Sequence, residues 1–346
     1  MKKKINIGWI GSGFIGQVAH LYSFSQIKDL EILSLAELRP ELGKQIKRKY
    51  NIKKLYKSHI DLLKNAENLD GIVSIVRRYH TFQVAKDVLR NGFNLFTEKP
   101  MAMTYQQSKT LVNLAKKKSL VYSIGNMRRF DDGVTYAKEY FDRVLKTKKL
   151  GNLNYFKCYC FGGYDYCNID QQITTNDKYP NYPGSETSPK WLSKNQKRHY
   201  ERFLAFFVHD LNLINYFFEK KYKIKSFLNK NSGGVVTFDY DNFYGIFDFA
   251  YGDQRKWEEK LEIFFSKGKI EINLKPAFLR NQNAEVKIFY EGSKPSVFSP
   301  KIDWSWSFKN QASSFIESIR RNKSNKCSGK ESLKDMEMAE KIWRKV

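Results

Sequence analysis

A chain of 346 residues with 41% hydrophobic and 15% aromatic content is long and apolar enough for two packed domains, which excludes a disordered polymer. Its net charge of +25 raises nucleic acid or an anionic membrane as partner. Lys and Arg run through the whole length, however, and no zinc-finger, RNP-type or basic-zipper pattern accompanies them. No nucleic-acid partner is therefore expected, and with no run of about 18 apolar residues, no membrane partner either. The positive excess suits an anionic small-molecule substrate, which it would steer electrostatically.

The opening MKKK before an apolar run mimics a signal peptide, but glycines break the run and no small-x-small cleavage site follows, so a cytoplasmic location is expected. Ile5, Ile7, Trp9 and Ile10 make a short strand of buried type. Gly11, Gly13 and Gly16 follow in the spacing G-x-G-x-x-G, and Val18 to Tyr22 continue as a helix. In such a unit the first glycine permits a tight turn, the second lets backbone approach a pyrophosphate, and the third lets helix pack on strand. A second strand, Leu30 to Ala36, ends in Glu37, an acid placed to accept hydrogen bonds from the adenosine ribose.

A helix over 41–50, a short helix capped by Ser58, and the almost wholly apolar strand 70–76 come next, then a helix over 81–90 and a strand over 93–96. Strand and helix alternating in this way predict a doubly wound parallel sheet. Glu98-Lys99-Pro100 follows that strand, then a helix over 106–117 and a strand over 120–124. Past Gly151 the texture changes. An alternating strand covers 153–161, and residues 162–196 are polar with little periodicity, a loop long enough to be functional. A helix over 200–218 leads into strands at 234–240, 243–251, 259–265 and 269–274, which read as an antiparallel sheet, and helices at 307–321 and from 332 close the chain. The fold class is α/β: a Rossmann domain over 1–125, and an α/β domain with an open, mostly antiparallel sheet over 126–346. The cysteines Cys158, Cys160, Cys167 and Cys327 lack C-x-x-C pairing, so reduced thiols and no metal are expected.

Taken together, Gly11-x-Gly13-x-x-Gly16, Glu98-Lys99-Pro100, Arg129-Phe130 and His209 within FVHDLNLINYF make the sequence resemble the Gfo/Idh/MocA family of nicotinamide-dependent oxidoreductases. Gly252, Trp257, Gly268 and Cys327-Ser328-Gly329 look like its C-terminal signatures. The resemblance implies an NAD(P)-dependent oxidoreductase acting on a CH–OH group of a sugar or nucleotide-sugar, a homo-oligomer built on the open sheet, and last helices that return to the first domain. It places the cofactor against Gly11, Gly13, Phe14, Ile15, Gly16, Glu37, Arg39, Val76, His80, Glu98, Lys99, Pro100 and Asn126. It assigns proton transfer to Lys99 and His209, and substrate contact to Lys99, Arg129, Tyr166 and His209. It also favours a cis bond before Pro100 over a merely rigid turn.

A lysine suits acid–base work when its charge is partly desolvated. Arg39 could favour a 2′-phosphate, but Glu37 would repel one, so NAD is the expected cofactor and NADP is the alternative. Arg77 and Arg78 are placed either to meet the diphosphate or an anionic substrate, or to stand as a solvated pair. One departure matters: many relatives carry Asp one helical turn before the histidine, where this chain has Ala205, and Asn212 likewise stands where Asp is frequent. Tyr200, Tyr164, Tyr166 or Asp165 could compensate. Ala205 and Asn212 also leave room for a non-catalytic sensor that retained the cofactor fold.

Overall fold

Ile5, Ile7, Trp9 and Ile10 are all buried, the pattern of a strand covered on both faces, and they form β1 (Ile5–Ile10). The computed structural model describes residues 4–167, 169, 172–180, 187–230 and 232–345. After β1 comes α1, in which Gly16–Leu21 is π-helical and Tyr22–Ser25 is α-helical. Next are β2 (Leu30–Ala36), α2 (Pro40–Lys49), β3 (Lys54–Tyr56), α3 (His59–Lys64) and β4 (Gly71–Ser74). Then follow α4 (Arg78–Arg90), β5 (Asn94–Thr97), α5 (Tyr105–Lys117) and β6 (Tyr122–Ile124). Ser58 caps α3 and Thr104 caps α5, each side chain accepting a backbone N–H from the first turn.

The six strands are parallel in the order β3-β2-β1-β4-β5-β6. The chain works outward from β1 to β3 and then starts again on the other side with β4. The strand order therefore reverses between β1 and β4, which opens a crevice at their carboxyl ends. Beneath it the core is aromatic: Trp9 meets Phe24 edge-on at 5.6 Å, and Phe24 meets Phe96 at 5.7 Å.

The second sheet begins after α6 (Asp132–Thr147). β7 (Leu153–Gly162) precedes the long helix α7 (Lys194–Phe217). β8 (Tyr222–Lys230), β9 (Gly233–Tyr240), β10 (Phe243–Tyr251), β11 (Glu258–Phe265), β12 (Gly268–Leu274), β13 (Glu285–Tyr290) and β14 (Ser296–Phe298) complete it. Its order is β14-β13-β12-β11-β7-β10-β9-β8, antiparallel except for the parallel β7–β10 pair. Burial alternates along β7: Phe156, Cys158 and Cys160 are inside, while Tyr155, Lys157 and Tyr159 face the other way. α8 (Ser307–Arg321) and α9 (Gly329–Trp343) end the chain. α6, β3, β8, β13 and β14 were not expected from the sequence.

Two compact units result: Met1–Asn126 with Ile169–Ala205 and Phe308–Met336, and Met127–Asn168 with Phe206–Ser307 and Glu337–Val346. The sequence puts the second domain over 126–346 with its last helices returning to the first, and does not anticipate residues 169–205 in the first unit. Residues 169–205 join the first unit because specific bonds draw them there. The Gln17 carboxamide exchanges two hydrogen bonds with the Ile173 backbone (2.8 and 3.1 Å), and Leu42 N–H donates to the Asp177 carboxylate at 2.9 Å. α8 also belongs to this unit, contributing Phe315 and Ile316 to the core of the first sheet.

Candidate dinucleotide-binding site

A groove of about 500 Å³ lies at the carboxyl ends of β1, β2, β4 and β5, within the range of small-molecule and cofactor sites. The glycine loop forms its floor. Gly11 sits at φ +82°, and a Cβ there would lie 2.5 Å from the Ile75 carbonyl oxygen, so only glycine makes this turn. Gly16 packs close to Gly11 and Ile75, the helix-on-strand contact expected of it. Gly13 differs: a Cβ there would meet no protein atom within 4 Å. Nothing inside the fold demands glycine at 13, and the space its missing side chain leaves opens on the groove. That is the fit expected if a diphosphate approaches the backbone there. Phe14 and Ile15, at the start of the first helix, line the same wall.

At the end of β2, Glu37 is 5% exposed and densely hydrogen-bonded. Ser12 donates its backbone N–H (2.8 Å) and its hydroxyl (2.6 Å) to Oε2, and Arg39 donates Nε to Oε1 at 2.8 Å. Burial works to raise the carboxyl's pKa, but the Arg39 and Ser12 hydrogen bonds outweigh it and hold the group below its usual range. Glu37 is thus a charged acceptor at the end of β2, lining the groove and already partnered by Arg39. Val76, Arg77, Arg78 and His80 line the groove from the end of β4. Burial, and then the Arg77 charge, push the His80 imidazole below its ordinary value, leaving it neutral near pH 7.

Glu98, Lys99 and Pro100 line the far end, and the Lys99–Pro100 peptide is cis. Glu98 is held by two contacts the sequence did not suggest: His20 Nε2 at 2.6 Å on Oε1, and the Lys99 backbone N–H donating to Oε2 at 3.0 Å. His20 is fully buried, edge-on to Phe96 and Phe308. Lys99 Nζ donates to the Ala205 carbonyl at 2.7 Å. Ala205 also lines the groove, so the position where relatives place a carboxylate offers a backbone oxygen here.

Not every expected residue gathers at the groove. Asn126 lies outside its lining; its carboxamide donates to Ser332 at 2.9 Å and to Asp335 at 3.4 Å, tying the end of β6 to α9. Arg129 is 1% exposed, and its guanidinium donates to Asn212 Oδ1 (2.8 Å) and O (3.1 Å) and lies over the Tyr216 ring, so it is spent inside the second unit rather than offered to a substrate. Asn212, standing where Asp is frequent, is the acceptor of that pair. Tyr166 packs near Trp257 and Phe278, and half-buried His209 lies four residues beyond Ala205 along α7. Of the proposed compensators, Tyr200 is fully buried, Tyr164 donates to Asp253, and Asp165 pairs with Arg255.

A glycine-floored groove at the switch point of a 3-2-1-4-5-6 parallel sheet, with a buried acid at the end of β2, defines a Rossmann dinucleotide-binding protein. Residues 5–126 match the Gfo/Idh/MocA oxidoreductase family, NAD-binding Rossmann fold. It is similar to an uncharacterized oxidoreductase of Streptococcus pneumoniae serotype 4, 30% identical over 39% of this chain and 35% of the relative. It is likewise similar to inositol 2-dehydrogenase/D-chiro-inositol 3-dehydrogenase of Lacticaseibacillus casei, 28% identical over 40% of each. These matches span well under half the length of the curated relatives. Among solved structures, a 3-ketoreductase from Actinomadura kijaniata in complex with NADP and TDP-benzene shares the fold with a TM-score of 0.77 at 13% identity, covering 99% of this chain and 98% of that one. Scyllo-inositol dehydrogenase from Lactobacillus casei, with NAD(H) and scyllo-inositol bound, gives 0.72 at 17% identity, covering 99% and 97%.

Proposed function

We propose that the protein oxidises or reduces a CH–OH carbon of a sugar or nucleotide-sugar with NAD(H). One observation carries this reading: Lys99 lines the same groove as the glycine loop, at the end where β5 delivers Glu98-Lys99-Pro100. The nicotinamide would supply the hydride chemistry; the chain's own residues bind, align and move a proton. Gly13 and its neighbours take the diphosphate, Glu37 the ribose, and Lys99 Nζ holds and transfers the hydroxyl proton. Nζ donates to the Ala205 carbonyl, which lines the same groove. His209 shares the Ala205 face of α7 by the i, i+4 rule and is the proposed partner in that transfer. The basic lining of Arg39, Arg77, Arg78 and Lys99 favours an anionic substrate such as a nucleotide-sugar.

NAD is proposed over NADP because Glu37 occupies the 2′ position, although its pairing with Arg39 softens the repulsion. Exposed Tyr244, its ring 4.9 Å from and tilted against that of Tyr155 on the second sheet, supports a homo-oligomer, and a cytoplasmic setting suits the buried thiols Cys158 and Cys160. The rival reading is a cofactor-binding sensor, which the alanine at 205 favours.

The test is NAD(H) turnover against a panel of sugars and nucleotide-sugars, followed by nicotinamide absorbance. Lys99→Ala should cut turnover by about 10²-fold or more while leaving NADH affinity within a few fold. Cofactor binding without turnover across the panel supports the sensor, and full turnover in Lys99→Ala removes Lys99 from the mechanism.

A further inference from the structure

The groove has a wall that the Rossmann core does not supply. Tyr179 lines it, yet belongs to the polar segment between β7 and α7. Two anchors dock that segment on the cofactor domain. The Gln17–Ile173 pair holds it beside the first helix, with Ile173 packed against the core cluster. The Asp177 carboxylate then accepts Leu42 N–H at 2.9 Å and the Thr175 hydroxyl at 3.0 Å, fixing it over the start of α2. Two residues on, the Tyr179 ring lies under the Arg77 guanidinium, 3.7 Å from carbon to ring centre, with the Arg39 guanidinium 5.6 Å away. Arg39 and Arg77 are the N-cap residues of α2 and α4, just past the ends of β2 and β4.

We propose that Tyr179 is a cofactor-binding residue, an aromatic wall on which the adenine of the dinucleotide stacks; this rests on the dinucleotide reading above. The acid at the end of β2 marks the adenosine half of such a site. Tyr179 touches the side chain two residues beyond that acid. Its ring is rigid, flat and backed by a cation, so a base gains a stacking surface that costs little ordering. The groove keeps its volume of about 500 Å³ with Tyr179 in its wall.

Calorimetric titration of the full chain with ADP, NADH and nicotinamide mononucleotide separates the outcomes. Tyr179→Ala should weaken ADP and NADH equally, by about 10-fold, the size of one base–aromatic stack. Nicotinamide mononucleotide should bind as before, and Tyr179→Phe should bind all three like wild type. Asp177→Ala, which frees the second anchor, should weaken ADP in the same direction and by less. Unchanged ADP affinity in Tyr179→Ala overturns the proposal. So does tighter binding, which would mean the ring occupies the base's own place. A wild type that binds neither ADP nor NADH defeats the dinucleotide reading itself, a result distinct from either.

Discussion

Two arginine pairs, each just past a strand of the parallel sheet, meet opposite fates. Arg77 and Arg78 follow β4; Arg77 is exposed, and both line the groove. Arg128 and Arg129 follow β6 and are 4% and 1% exposed. Arg128 pairs with Glu259 and donates to the Lys275 carbonyl at 2.6 Å, while Arg129 is held by Asn212. Both places read Arg-Arg followed by an aromatic residue, Tyr79 or Phe130. What differs is whether a distant segment of the chain brings an acid and carbonyls to meet the cations. A buried charge without partners is prohibitive, so the second pair exists only because β11 carries Glu259 to it. Among the described residues the first pair forms no carboxylate ion pair: Arg77 lies over the Tyr179 ring, Arg78 donates to the Tyr79 hydroxyl at 2.8 Å, and both line the groove. The pairs therefore divide into stability and binding.

The sharpest break in that division is on the binding side. Gly13→Val adds bulk only to open groove, so thermal midpoint should hold while NADH binding is lost. A folded Gly13→Val protein that still binds NADH with wild-type affinity would remove the diphosphate from the glycine loop.

Next comes the buried pair. Arg128→Ala leaves Glu259, 2% exposed, without its cation, and should cost about 3–5 kcal/mol by urea denaturation. Replacing both partners by Met should recover most of that loss, because the uncompensated charge is gone as well. Burial, and then the Glu259 charge, already hold the neighbouring Asp210 carboxyl well above its usual range, so removing Arg128 worsens an acid-rich pocket. Arg77→Ala, by contrast, should leave the urea midpoint nearly unchanged. Equal losses from Arg128→Ala and Arg77→Ala would erase the distinction between the two pairs.

The same contrast explains what could be read from sequence. Gly11, Gly13, Gly16, Glu37 and Glu98-Lys99-Pro100 were legible because each is fixed by its own turn or strand end, and strand–helix alternation gave the parallel sheet. Tyr179, Ser12 and His20 were not. Tyr179 reaches the groove through anchors that join residues 156 and 135 apart in the chain, in a stretch without periodicity. Ser12 is one of the variable positions of the glycine motif, and His20 takes its role from Glu98, on another element. The partner that holds Arg129, Asn212, is likewise non-local, 83 residues away. The parallel pairing of β7 with β10 is equally non-local. β13 shows alternating burial and could have been read, whereas β8 is largely exposed and gives a weak period.

The smallest effect concerns the ion pair that belongs to both sides of the comparison. Glu37 is nearly as buried as Glu259, yet its partner Arg39 is 22% exposed and reaches the groove. Its hydrogen bonds favour the ionised form, so the folded-state pKa lies below the ordinary value of 4.5. A lowered carboxyl contributes stability fully above its unfolded pKa and loses that contribution as pH falls through the folded value. Glu37→Gln keeps the shape without the charge. It should cost about 1.5–3 kcal/mol near neutral pH, the worth of charged hydrogen bonds in a buried setting. The gap between wild type and variant, read from urea midpoints, should hold from neutral pH down to about 4.5 and then narrow as Glu37 takes up its proton in both states. NADH affinity should fall in the same variant, since the ribose position then loses its anionic acceptor. A gap that stays constant well below pH 4.5 would show that Glu37 is not held ionised by Ser12 and Arg39, and would move this pair from the binding side of the molecule to the structural one.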